Sequence, residues 1–332
     1  MITVTLYCNG QDSDCQAVKA LLSDLETEFP HRIIEIDINR DRALKKAFET
    51  RVPLLQIGPY QLEGEFTVQR LRVALGAATD RVSQLEKIGD QGYRDRVARG
   101  QVLTGGDRLS LWISKNYIHV FNVLIFIYVG LPFLAPVLVR NGAVSTANLI
   151  YRVYSVVCHQ LPFRSWFLYG EQAFYPRQLA GIEGVISYEQ ATHEEKIDVF
   201  NDRWFIGNAQ LGYKVALCQR DVAIYGSMLI FGIGFALSGR RIKPLPWYLW
   251  VVIGLGPIAL DGFSQLPGII GNLPAWLPVR ESTPLLRTLT GSLFGVMTAW
   301  YLYPMIEETM LETRRIITRK MATVEQLATK AD

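Results

Sequence analysis

Cysteine is scarce, with four in 332 residues, too few to staple a chain of this length as a disulfide scaffold. Histidine is equally scarce. No Cys-x-x-Cys-His run, Ser/His/Asp set or Gly-rich phosphate loop is present, so the sequence offers no grounds for haem attachment, triad hydrolysis or a phosphate loop. Basic residues form no block interleaved with aromatics, and the formal net charge is only +3, which argues against a nucleic-acid partner. The opening Met1-Ile2-Thr3-Val4-Thr5-Leu6-Tyr7 lacks both a basic start and a long apolar core. It does not read as a secretory signal, and the first domain is expected to stay in the cytoplasm.

What is there is unevenly distributed. Hydrophobic residues make up 49% of the chain, and the mean hydropathy of +0.15 is modest for a membrane protein. The average conceals a charged first hundred residues followed by long apolar runs. The length allows two domains with separate cores. In the front part, residues 2–7 alternate as a β-strand, and residues 13–27 place Val18, Leu21, Leu22 and Leu25 on one helical face. Strands follow at Arg32–Ile38 and, after a charged helix over Asp41–Phe48, at Arg51–Ile57. A short edge strand over Gln61–Glu63 and a helix over Thr67–Leu75 complete the order βαβαββα, a small α/β domain with a mixed sheet.

The Val-Thr-Leu-Tyr strand, the Cys15 helix with Ala-Val-Lys-Ala-Leu-Leu, the Ile-Glu-Ile-Asp-Ile strand and the Val-Pro-Leu-Leu step together resemble the glutaredoxin-like branch of the thioredoxin superfamily. The resemblance covers residues 1–78 and implies a thioredoxin-like fold with a cis proline, Pro53, flanking an active site. It also implies a Cys-x-x-Cys pair whose first thiol is the nucleophile. Here Cys15 takes the second position and Asp12 the first, and a carboxylate cannot attack a disulfide. Cys8, separated from Cys15 by six residues, is either a displaced redox partner or, with Cys15, a small packing residue; the packing reading is favoured. Residues 79–116 read as a polar linker, with Asp107 capping a short amphipathic helix at the membrane surface.

The membrane domain is expected over 117–306, with all-α spans at about 118–139, 221–238, 246–263 and 285–304. Ala147–Cys158 contains Arg152 and reads as an interfacial or re-entrant helix. Arg94, Arg96, Arg99, Arg108 and Lys115 precede the first span, Arg240, Arg241 and Lys243 follow the second, and Arg314, Arg315, Arg319 and Lys320 lie in the 307–332 tail. The positive-inside rule then puts both termini in the cytoplasm of a multi-pass cell-membrane protein. An outer lobe over 140–220 and the 264–284 segment face outward; the lobe's interleaved charges, including Glu194, Glu195, Lys196, Asp198, Asp202 and Arg203, suggest a folded cap.

On this topology four polar groups are expected to meet on the outer face: Cys158-His159-Gln160 with Arg164-Ser165, Cys218-Gln219-Arg220-Asp221, Asp261 with Gln265, and Glu281-Ser282 with Arg287. They resemble an uncharacterised membrane-protein family with Cys-His-Gln-x-Pro-x-Arg-Ser, Cys-x-Arg-Cys, Asp-Gly-x-x-Gln and Ser-x-x-x-Arg-x-x-Thr-Gly motifs. The resemblance covers roughly 150–303, and this chain has Asp221 for the second cysteine of Cys-x-Arg-Cys. Ionisable residues at membrane depth are costly, so Asp261 and Arg287 are catalytic candidates, beside the alternative of a structural ion pair of Asp261 with Arg287 or Arg220. Cys158 and Cys218 could form a disulfide, or join His159 and Asp221 around zinc, or Cys158 could simply pack while His159 hydrogen-bonds at the interface. The disulfide is slightly favoured. His119 and His193 read as an interfacial and a solvated histidine. The leading functional expectation is a binding or accessory subunit working with other membrane proteins in the bilayer. The alternatives are a membrane thiol–disulfide or electron-transfer protein that passes thiol equivalents between Cys8 and Cys15, flanked by Pro53, inside and Cys158 and Cys218 outside, and an outer-face enzyme, metal-dependent in one form, using Asp261, Arg287 and His159.

Overall fold

A computed structural model describes residues 2–10, 12–40, 42–89, 91–194, 197–265 and 280–329. Asp41, Glu195, Lys196, the 266–279 part of the expected outer segment and the side chains of Arg94 and Arg96 lie outside the described residues. Contacts divide the chain into two compact units, Met1–Asn116 with Glu308–Asp332, and Tyr117–Glu307.

The first unit is built on a four-stranded mixed sheet. Its strands are β1 (Ile2–Cys8), β2 (His31–Asp37), β3 (Leu54–Ile57) and β4 (Tyr60–Glu63), in the order β2-β1-β3-β4. β1 pairs with β2 in parallel and with β3 antiparallel. Alternation along β1 decides which side chain meets which core. Val4, Leu6 and Cys8 pack with helices α1 (Ser13–Asp24) and α3 (Val68–Ile88), whereas Tyr7 joins Ile34, Ile36, Leu54 and helix α2 (Arg42–Phe48) on the other face.

Asp12 caps α1 by accepting the Asp14 N–H at 3.3 Å, so the carboxylate at the expected nucleophile position has a structural task. Cys8 and Cys15 are disulfide-bonded, with Cα atoms 6.0 Å apart. This departs from the favoured packing reading: the loop turns back through Gly10, whose N–H is held by Asp37 at 3.1 Å, and that brings the end of β1 to the first turn of α1. The Val52–Pro53 bond is cis.

The expected linker is largely helical. α3 runs on to Ile88, and α4 (Gln91–Gly100) precedes α5 (Gly105–Arg140). No break separates an interfacial helix from the first span, since Asp107 caps the start of α5 by accepting the Thr104 N–H at 2.8 Å.

In the second unit, α5 is followed by α6 (Val144–Tyr154), the expected short helix. The segment expected to form an outer lobe is a folded piece built on β5 (Ser165–Leu168), β6 (Gly207–Asn208) and β7 (Gly212–Cys218), with helices α7 (Tyr188–Thr192) and α8 (Val199–Asp202) between β5 and β6. α9 (Gln219–Leu237) continues directly from β7. The third expected span divides into α10 (Trp247–Leu249), a π-helical turn over Trp250–Leu255 and α11 (Gly256–Phe263), where Pro257 lacks the N–H an uninterrupted ladder needs. The fourth is the first part of α12 (Pro284–Thr329), a 46-residue helix. By length and composition, α5 and α9 are long and apolar enough to cross a membrane, and Trp247–Phe263 is a shorter apolar helix.

Close helix contact depends on glycine at two α12 positions. A Cβ at Gly291 would meet the Arg220 carbonyl, and one at Gly295 would meet the Ile224 carbonyl and the Ser227 side chain. This Gly-x-x-x-Gly spacing lets α12 approach the backbone of α9. Ser227 Oγ donates to the Ser292 carbonyl at 3.1 Å across the same contact. The first turns of both helices, carrying Arg220 and Arg287, are thereby brought to one end of the unit.

Candidate functional site

At that end, two buried carboxylates are surrounded by guanidinium groups. Asp261, 4% exposed, sits in the last turn of α11, and Glu281, 6% exposed, precedes α12. Asp261 accepts from Arg220, from Arg280 at 3.2 Å and from Ser282 Oγ at 2.9 Å. Glu281 accepts from Arg287 and takes a two-pronged contact from Arg164, Nε to Oε1 at 2.8 Å and a terminal nitrogen to Oε2 at 3.0 Å. Gln265 links the two halves: it donates to the Asp261 carbonyl at 2.7 Å and accepts from Arg287 at 3.2 Å. Arg177 approaches Glu281 at 4.0 Å and Glu189 at 3.7 Å.

The charges do not balance. Among the described residues, five arginines face three carboxylates, and of these arginines only Arg287 is deeply buried; the side chains of Arg164, Arg177, Arg220 and Arg280 are 24–37% exposed. The sequence of 266–279, LPGIIGNLPAWLPV, contributes no ionisable group to this sum.

A second group sits at the join of β7 and α9. The Sγ atoms of Cys158 and Cys218 and a carboxylate oxygen of Asp221 all lie within 4.8 Å of one another. Both cysteines are free, in place of the favoured disulfide. Cys218 caps α9 by accepting the Asp221 N–H at 3.4 Å. The hydrogen bond from the Cys218 thiol favours the Cys158 thiolate and holds its pKa below the ordinary thiol range, while the same shared proton, then burial, pushes Cys218 well above it. Beside them Lys214 is fully buried, and its Nζ donates to the carbonyls of Gln160 at 2.9 Å and Arg203. Burial pulls that ammonium down to about 7, against the attraction of Cys158.

The sequence-predicted residues therefore separate into two clusters. Arg164, Arg220, Asp261, Gln265, Ser282 and Arg287 belong to the guanidinium–carboxylate network. Of the two ion pairs considered for Asp261, Arg220 makes it, and Arg287 goes to Glu281 instead. Cys158, Cys218 and Asp221 form the second cluster. His159 is exposed and outside it, a departure from the four-ligand set: its neighbour Cys158 turns inward, and Gln160 takes a left-handed φ of 54°. Gln160 and Ser165 are structural here, Gln160 donating to the Tyr151 carbonyl at 2.8 Å and Ser165 to the Leu161 carbonyl at 3.0 Å. Cys8, Cys15 and Pro53 lie in the other unit. Sequence reasoning overlooked Arg177, Lys214 and Arg280 as members of a site, and it placed Glu281 in the fourth group without assigning it a role. A charged Arg280-Glu281 pair immediately before an apolar helix was a usable signal, whereas nothing marked Arg177 or Lys214.

Residues 205–301 match a family profile described as "Predicted membrane protein (DUF2085)". That segment is thus similar to predicted membrane proteins. The chain is also 27% identical over 205 residues to "Uncharacterized protein MJ1492" of Methanocaldococcus jannaschii, a match covering 59% of this chain and 96% of the relative. No solved structure matches the chain. The matched segment contains Cys218, Arg220, Asp221, Asp261, Glu281 and Arg287, and so takes in both buried carboxylates of the network but not Glu189.

Proposed function

We propose that this is a multi-pass cell-membrane protein that binds a phosphate-bearing anion, as lipid headgroup or free phosphate, at the arginine-rich end of its helical unit. The observation that carries the reading is the charge excess: five guanidinium groups against three carboxylates, four of the five still partly open to solvent. Arginine forks suit phosphate oxygens, and the buried carboxylates hold the forks in place. Arg220 and Arg287 also lie in the first turns of α9 and α12, where helix dipoles favour an anion.

On this reading the four expected spans cross the bilayer, both termini are cytoplasmic and the arginine site faces outward. The thioredoxin-like N-terminal unit then serves as a cytoplasmic docking module for other membrane subunits. A thiol relay between Cys8–Cys15 and Cys158–Cys218 has no cysteine within any expected span to carry it.

The test uses the full chain in lipid nanodiscs. One arm adds inorganic phosphate to discs of neutral lipid; the other introduces phosphatidic acid without free phosphate; both read the thermal unfolding midpoint. Stabilisation in the first arm identifies a soluble phosphate ligand, and stabilisation in the second alone identifies a headgroup. Either effect should fade with added salt and vanish in Arg280→Gln, the most exposed of the five. No response in either arm would leave the network a purely structural tie and sink the proposal.

A further inference from the structure

We infer that Cys158, Cys218 and Asp221 form a site for a thiophilic divalent cation of the zinc type, separate from the anion site. Two sulfurs and one carboxylate oxygen within 4.8 Å of one another offer the S/O donor set that zinc accepts, at a spacing a small local shift brings to tetrahedral ligand separations. The donors come from elements that hold them there without a metal. Cys158 follows α6 and is buried in the core with Tyr151, Tyr154, Val215 and Leu217, while Cys218 and Asp221 share the capped first turn of α9.

Charge supplies the second argument. Binding M²⁺ to two thiols and a carboxylate releases two protons and leaves a centre of net charge −1. Lys214, fully buried near Cys158, has its Nζ on two backbone carbonyls, and its ammonium would neutralise that centre. Three protein ligands leave a fourth position for water or another small ligand.

The test loads reduced, full-length protein in detergent with Co²⁺ alone. One equivalent should bind with a thiolate-to-cobalt charge-transfer band, Zn²⁺ should displace it, and Cys158→Ser with Cys218→Ser should abolish the band. Asp221→Asn should keep the band but weaken binding. Because the serine variants could fail to fold, a second measurement uses the unaltered protein from native membranes. There, a chelator should sharply accelerate maleimide labelling of Cys158 and Cys218. A Cys158–Cys218 disulfide in native membranes, a cobalt band that survives the double serine variant, or labelling indifferent to chelator would each overturn the inference. Phosphate binding has its own readout, so either proposal can fail without the other.

Discussion

Removing one member of a buried ion pair costs more than the pair itself contributes, because the remaining charge is left without a partner in a place water cannot reach. Glu281 answers Arg287, a side chain 3% exposed, and also holds Arg164 by both prongs. Glu281→Gln should therefore destabilise the second unit by about 3–5 kcal/mol. The surface pair Arg72–Glu28, with both side chains 45% exposed, sets the contrast: Arg72→Ala should cost no more than about 1 kcal/mol. Thermal melts of the two variants in the same detergent would check this, and equal shifts would contradict it. Lys214 gives a pH signature of its own. Its folded pKa of about 7 lies below the ordinary lysine value, so above pH 7 the unfolded chain binds more protons than the folded one. Stability from this group should rise as pH increases from about 7 to about 10 and be flat below 7. Unfolding midpoints at the two ends of that window should differ more in the unaltered protein than in Lys214→Met, and equal differences would contradict it.

At the scale of elements, the alternation of β1, β2 and β3 and the apolar face of α1 were readable because each strand buries one face against a different core. The order βαβαββα and the positions of the apolar helices followed from the same periodicity. The ends of elements were harder. α3 extends to Ile88 through a polar stretch with no apolar stripe, and it stops where Gly89 takes a left-handed φ of 70°. The two site clusters were half legible: residue types flagged Asp261 and Arg287, but which carboxylate meets which arginine depends on how closely α12 approaches α9. That approach is itself testable. Gly295→Leu would drive a side chain into the Ile224 carbonyl and Ser227, costing about 1–3 kcal/mol by overpacking and displacing Arg287 from Glu281. Gly234→Ala, on the same α9 but with nothing within 4 Å of its Cβ, should be neutral or stabilise by up to about 1 kcal/mol. If both glycine variants melted alike, close packing of α9 and α12 would not be what orders the site.

For the whole molecule, the unexpected feature is that the two ends of the chain build one unit. Read from sequence, 307–332 was a basic tail, because its charges satisfy a topology rule and its apolar residues are few. In the fold the same residues complete the first unit from the end of α12. Arg315 lies over the rings of Tyr7 and Phe48, at 5.6 and 5.0 Å, and donates to Gln56 at 3.3 Å. Lys320 donates to Asp107 at 2.6 Å, and Ala322 packs against the core that contains Ile34, Ile36 and Leu54. Positive charge here serves packing as well as orientation, since an arginine stacked on two rings buries apolar stem and ring together. Removing residues 312–332 should uncover the Tyr7–Phe48 face while leaving Val4, Leu6, Leu22 and Leu75 covered by α1 and α3. Hydrogen exchange on the full chain and the truncated one should then show faster exchange in α2 and little change in α3. Asp107 provides an independent check. Its carboxyl is held down to about 2, first by Lys320 and then by Thr104, so the tie is present above the ordinary carboxylate pKa and is lost as pH falls toward 2. Acid should thus loosen the C-terminal helix in the intact protein, and Lys320→Met should leave it loosened already at neutral pH, with no further acid-dependent change from this pair. If α2 exchanges at the same rate with and without residues 312–332, the C-terminal helix contributes nothing to the first unit, and its arginines and lysines act through topology alone.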